Sequence, residues 1–165
     1  MVSSSCREID AASMFNIVLV APLIPSNTGN IARTCACTGS VLHLVKPLGF
    51  DISDKALKRA GLDYWDKLEV KVWESLEELQ HANSNSPFFY IETSAKKFYT
   101  EAKIPKNSFL VFGNEDKGLP LSLIEANEKT SLKVPMVGDI RSLNLSNCAA
   151  LVLYEALRQN NFKGN

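Results

Sequence analysis

The chain has 165 residues, with 18 basic and 18 acidic side chains, 45% apolar residues and 22% charged ones. That length suits one domain with its own core, and the composition is too apolar for a disordered chain. A formal net charge of zero argues against a binder that relies on massed positive charge, and no apolar run reaches the roughly 20 residues of a membrane helix.

Residues 1–13 are polar, carry charges of both signs and include Glu8 and Asp10. They lack the apolar stretch of a secretory signal and read as a loose extension before a single domain, 14–165. Cys6, Cys35, Cys37 and Cys148 form neither a disulfide framework nor a zinc-ligand pattern. They read as reduced thiols of a cytoplasmic protein, with no metal expected.

Apolar runs then alternate with helical patterns. Residues 16–21 (NIVLVA) do not alternate and predict a strand buried on both faces. Residues 41–46 predict a second. Residues 68–73 (LEVKVW) alternate and predict an edge strand. Segments 88–92, 109–112 and 132–134 complete six candidates. Helical stretches fall at 28–37, 54–60, 76–82 and 121–127. This order predicts an α/β fold, with a mainly parallel six-stranded sheet flanked by helices. Two histidines, His43 and His81, fall in a strand and at a helix end, so no triad or metal motif is available.

The last helix carries one apolar stripe through Leu145, Cys148, Ala149, Val152, Leu153, Ala156 and Leu157. A second, partly apolar stripe runs through Leu143, Asn147, Leu151, Tyr154 and Arg158. One stripe meets the sheet. The other needs a partner, which predicts a homodimer through this helix.

Three glycine-bearing loops follow strands. In the first, Asn27 or Thr28 is expected to cap a helix, Gly29 to let a ligand approach, and Asn30 and Arg33 to grip a phosphate or ribose. The second holds Gly113, Glu115 and Gly118; the carboxyl ends of parallel strands are where ligands collect. The third, 134–147, crowds Arg141, Ser142, Asn144, Ser146 and Asn147 at a helix entrance that needs only one cap. No strong acid–base set is present. Chemistry that needs positioning alone, such as methyl transfer from an activated sulfonium donor, fits.

Taken together, N-T-G-N-I-A-R (27–33), F-G-N-E-D-K-G-L-P (112–120) and P-M-V-G-D-I-R-S-L-N-L-S-N (135–147) resemble the three signature motifs of the SPOUT RNA methyltransferases. R-A-G-L-D-Y-W (59–65) and L-Y-E-A-L-R-Q (153–159) resemble the TrmL (YibK-like) group of small tRNA (cytidine/uridine) 2'-O-methyltransferases, which act on the wobble nucleotide. The resemblance implies a C-terminal trefoil knot, a tRNA substrate and S-adenosyl-L-methionine as donor, with S-adenosyl-L-homocysteine as product. It implies a cofactor site at Ile91, Thr93, Gly113, Gly118, Val134, Met136, Ser142 and Leu143. Catalytic roles fall to Arg33, Glu115, Ser142 and Asn144, with Glu115 orienting Arg33 or the substrate. RNA contacts fall to Asn27, Asn30, Arg33 and Tyr154. Local charge suggests Lys55, Lys58, Arg59 and Arg141 for RNA as well, with Tyr64 and Trp65 for stacking. Ala21, Leu23, Ser94, Gly138 and Ile140 depart from the family pattern, which bears on target choice. Two other readings remain: a knotted methyltransferase acting on ribosomal RNA or another tRNA site, and an RNA-binding member without turnover.

Overall fold

The computed structural model describes residues 15–53, Lys55, Leu57 and 62–162, the last stretch with side chains from Trp65 onward. The extension 1–13, most of the expected helix 54–60, Lys58, Arg59 and the Tyr64 side chain lie outside these residues.

Seven strands form one sheet: β1 (Asn16–Val20), β2 (Val41–Val45), β3 (Val70–Trp73), β4 (Phe88–Ile91), β5 (Lys97–Phe98), β6 (Phe109–Phe112) and β7 (Ser131–Lys133). The sheet has one strand more than the sequence pattern indicates. The added β5 is two residues long, too short for any periodicity to reveal. The order is β3-β2-β1-β6-β4-β7-β5, and every pair is parallel. β3 lies at an edge, as its alternation predicts.

Among the described residues, the α-helices with both ends given are α1 (Pro25–Thr38), α2 (Leu76–Ala82), α3 (Leu121–Ala126) and α4 (Leu145–Gln159), and Lys55 and Leu57 are helical as well. Strand side chains alternate between two faces. Ile17, Leu19, Leu42, Leu44, Leu110 and Phe112 pack with Ile31, Ala32 and Cys35 of α1 and with Ala149, Val152, Leu153 and Ala156 of α4. Val18, Val45, Tyr90 and Val111 pack with Leu79 of α2 and Ile124 of α3 on the other face. The expected inner stripe of α4 is therefore the one that meets the sheet. Trp65, expected to stack on RNA, packs against the first of these clusters.

The start of α1 departs from expectation. The helix begins at Pro25, so Asn27 and Thr28 lie inside its first turn and neither is the cap. Ile24 stands at the cap position and supplies no side-chain acceptor. Gly29 is buried within the helix. Pro25 suits this start because its missing N–H would have had no intrahelical partner.

His43 is 2% exposed and sits in a buried polar chain. The Trp73 indole N–H donates to Nδ1 at 3.0 Å, so Nε2 carries the proton and donates to Asn16 Oδ1 at 2.9 Å. Burial, and secondarily the charge of Lys71, push its pKa down to about 4. The unfolded chain therefore takes up this proton first, and stability is lost as pH falls from about 6.5 toward 4. Between pH 7.5 and 5 this amounts to about 2 kcal/mol. Urea unfolding at the two pH values checks it: His43→Gln should show a loss smaller by that amount, and equal losses would refute the assignment.

Candidate active site

The three glycine loops converge. A cavity of about 680 Å³ is lined by Ile24 and Asn27 from the first loop, 112–118 from the second, and Val134, Met136 and 141–145 from the third, with Ile91, Glu92, Thr93 and Cys148. Strand order brings this about. β6 lies between β1 and β4, and β7 lies beside β4, so the loops leaving the carboxyl ends of β1, β6, β4 and β7 meet.

Hydrogen bonds join the loops across the cavity. Glu115 accepts from the backbone N–H of Leu23 at 2.9 Å and of Ile24 at 3.1 Å, and from Asn27 Nδ2 at 3.2 Å. A carboxylate there offsets the positive end of the helix and satisfies amides that no local side chain reaches. The first turn of α1 has no acid of its own, so the second loop supplies it.

The relay continues in a fixed direction. A carboxylate only accepts, so Asn27 must turn its amide nitrogen to Glu115 and its oxygen away. That oxygen accepts from Asn144 Nδ2 at 3.0 Å. Asn144 is thereby oriented to point Oδ1 at the N–H groups of Ser146, 2.9 Å away, and Asn147, 3.3 Å away, capping α4. Asn27 is buried and Asn144 exposed.

Two glycines shape the second loop. An added Cβ at Gly113 would lie 2.1 Å from the carbonyl carbon of Gly118, so the two backbones touch. Gly118 has φ of +65°, a left-handed conformation that favours glycine.

All of the expected cofactor residues line the cavity, as do Asn27, Glu115, Arg141 and Asn144. Arg33, Asn30, Lys55 and Tyr154 do not. Arg33 is exposed on α1 beyond the buried Asn27, and Tyr154 is exposed on α4. Glu115, expected to orient Arg33 or the substrate, has both oxygens on the entrance of α1. Sequence reasoning missed Glu92 and Cys148. Glu92 follows β4 directly, and an acid at the carboxyl end of a buried parallel strand is the signal that marks it. Cys148 lies on the inner stripe of α4; burial first, and the charge of Glu92 second, push its thiol up to about 11.

The lining suits an adenosyl cofactor with an amino-acid tail. Ile91, Val134, Met136 and Leu143 offer apolar walls for a base, and Glu92, Lys117 and Arg141 offer charge of both signs for polar ends.

A parallel α/β sheet that gathers three loops around one cavity at its strand ends has the arrangement in which such sheets bind nucleotide-like ligands. The chain belongs to the SpoU rRNA Methylase family, which matches residues 14–154. The expected resemblance is thus shown, and this family implies the trefoil knot. A Listeria innocua protein, provisionally assigned as a tRNA (cytidine(34)-2'-O)-methyltransferase, is 51% identical over 150 residues, covering 89% of each chain. A tRNA (cytidine(34)-2'-O)-methyltransferase of Saccharophagus degradans is 44% identical, covering 92% of this chain and 99% of that one. A solved structure reported as insight into the 2-OH methylation of C/U34 on tRNA superimposes with a TM-score of 0.86 at 39% identity, covering 91% of this chain and 98% of that one.

Proposed function

We propose that this chain is an S-adenosylmethionine-dependent tRNA 2'-O-methyltransferase that modifies the wobble nucleotide, cytidine or uridine 34. The carrying observation is the relay Glu115–Asn27–Asn144, which ties three loops separated in sequence into one cavity. Relatives named for cytidine 34 match over nine-tenths of the chain, which supports the tRNA wobble ribose over ribosomal RNA.

The bound cofactor supplies an activated methyl group. The protein's task is to place a ribose 2'-hydroxyl in line with it, at roughly 3–3.5 Å. Ile91, Gly113, Val134, Met136 and Leu143 hold the cofactor, largely through backbone and apolar contact. Ser142 and Arg141 stand at the mouth on the third loop. Arg33 binds and charge-balances the nucleotide. A guanidinium has five N–H donors and no acceptor, so this role is binding and not proton abstraction. Asn144 and Glu115 hold the loop geometry on which this alignment depends. A tRNA substrate goes with a cytoplasmic setting. Among the described residues, no helix is long and apolar enough to cross a membrane.

The working unit is a homodimer joined through α4. Its outer face leaves Leu151 and Tyr154 exposed at 43% and 48%, and Ala150 on the same helix permits close approach; Leu143, expected on this stripe, lies before the helix and lines the cavity instead. Light scattering at micromolar concentration should show a dimer, and Leu151→Glu should shift it toward monomer. A wild-type monomer would refute this assembly.

The activity is tested by incubating the protein with labelled donor and a tRNA transcript, followed by nucleoside mass spectrometry. A 2'-O-methylated pyrimidine at position 34 is expected. A methylated base, or methylation confined to ribosomal RNA, would overturn the reading.

A further inference from the structure

Glu92 is an acid within the cavity that no part of the reaction scheme above uses. It follows β4 directly, and its carboxylate is fixed from two sides. Oε2 accepts from the Leu119 N–H at 2.7 Å, and Oε1 accepts from the Thr93 N–H at 2.8 Å and its hydroxyl at 3.0 Å. The fit against the second loop is close: a Cβ at position 118 would lie 2.2 Å from Oε2. Cys148 of α4 lines the same cavity. These three donors are neutral and leave acceptor capacity, because an ionised carboxylate offers about four lone-pair sites.

We propose that Glu92 is a cofactor-binding residue whose carboxylate accepts a hydrogen bond from the ribose diol of the S-adenosyl ligand. An adenosyl ligand brings two hydroxyl donors, and a carboxylate at a strand's carboxyl end is a natural acceptor for one of them. Hydroxyl-to-carboxylate bonds are short and roughly twice as strong as neutral ones. Fixing by Leu119 and Thr93 sets the carboxylate before the ligand arrives, which lowers the ordering cost of binding. The inference rests on the cavity being the S-adenosylmethionine site.

The test is titration calorimetry on the full chain, using S-adenosylmethionine, S-adenosylhomocysteine and the 2'-deoxy and 3'-deoxy forms of the latter. Wild type should bind both parent ligands, and loss of the engaged hydroxyl should weaken binding about tenfold. Glu92→Gln keeps an acceptor for the Leu119 N–H but sets its amide nitrogen against the Thr93 N–H, so its melting temperature should fall by a few degrees with the fold retained. It should weaken both parent ligands about equally, by about tenfold, and shrink the deoxy penalty to about threefold or less. Four outcomes would overturn the proposal. Wild type could be indifferent to both deoxy ligands, which needs no variant to read. Glu92→Gln could leave affinity within about twofold, or leave the deoxy penalty unchanged. The variant could weaken S-adenosylmethionine alone, placing the charge against the sulfonium. Failure of wild type to bind either parent ligand is separate and would sink the site assignment itself.

Discussion

Replacing Arg33 with alanine should cut methyl transfer by about 10²–10³-fold, the usual cost of removing a group that stabilises developing charge. The cofactor affinity should stay within about threefold of wild type, because Arg33 is not among the residues that line the cavity. Arg33 lies on α1 outside the set of residues that line the cavity, whereas the helix entrance at Ile24 and Asn27 is part of the wall. Its place therefore suits the nucleotide and not the donor. Arg33→Lys should recover little, because a point charge does not reproduce a planar fork at a ribose or phosphate. Calorimetry with S-adenosylhomocysteine and single-turnover transfer on tRNA separate the two effects. Loss of cofactor affinity with transfer rate preserved at saturation would reverse the assignment.

The largest effect on both stability and binding is expected at Gly113. An added Cβ would meet the Gly118 carbonyl carbon at 2.1 Å, the Leu119 nitrogen at 2.4 Å and Gly118 Cα at 2.5 Å. All three are backbone atoms, so no side chain can rotate away. The second loop must move, and with it the Leu119 N–H that Glu92 holds and the Glu115 carboxylate that caps α1. Gly113→Ala should cost about 3 kcal/mol, at the upper end for overpacking, and lower cofactor affinity by at least about tenfold. Gly138 is the internal control. A Cβ there meets nothing within 4 Å, so Gly138→Ala should stay within about 0.5 kcal/mol of wild type. Thermal unfolding and calorimetry of both variants check this. Equal behaviour of the two would mean that the second loop is not held as described.

Much of the fold was legible because it depends on short-range patterns. The buried strands β1, β2 and β6 are runs that do not alternate, apolar but for Asn16 and His43. The inner stripe of α4 follows from helical spacing alone. The three loops stood out for their glycines and dense polar side chains, and the family resemblance tied them together. The errors have equally specific causes. β5 is too short to carry a period. The local pattern starts α1 late because Asn27 reads as a cap, while the true acceptor, Glu115, lies 91 residues from Ile24.

Sequence alone determined the alternating strands and helices, the parallel sheet, and which loops carry polar groups suited to a cofactor and a nucleotide. Those features are decided by the spacing of side chains a few residues apart. Tertiary structure alone decided what each polar group holds: Glu115 the entrance of α1, Asn27 the amide of Asn144 from 117 positions away, and Glu92 the turn at Leu119. The physical reason is that helix ends and tight turns leave amides without local partners, and which distant acceptor satisfies them depends on strand order, which no local period encodes.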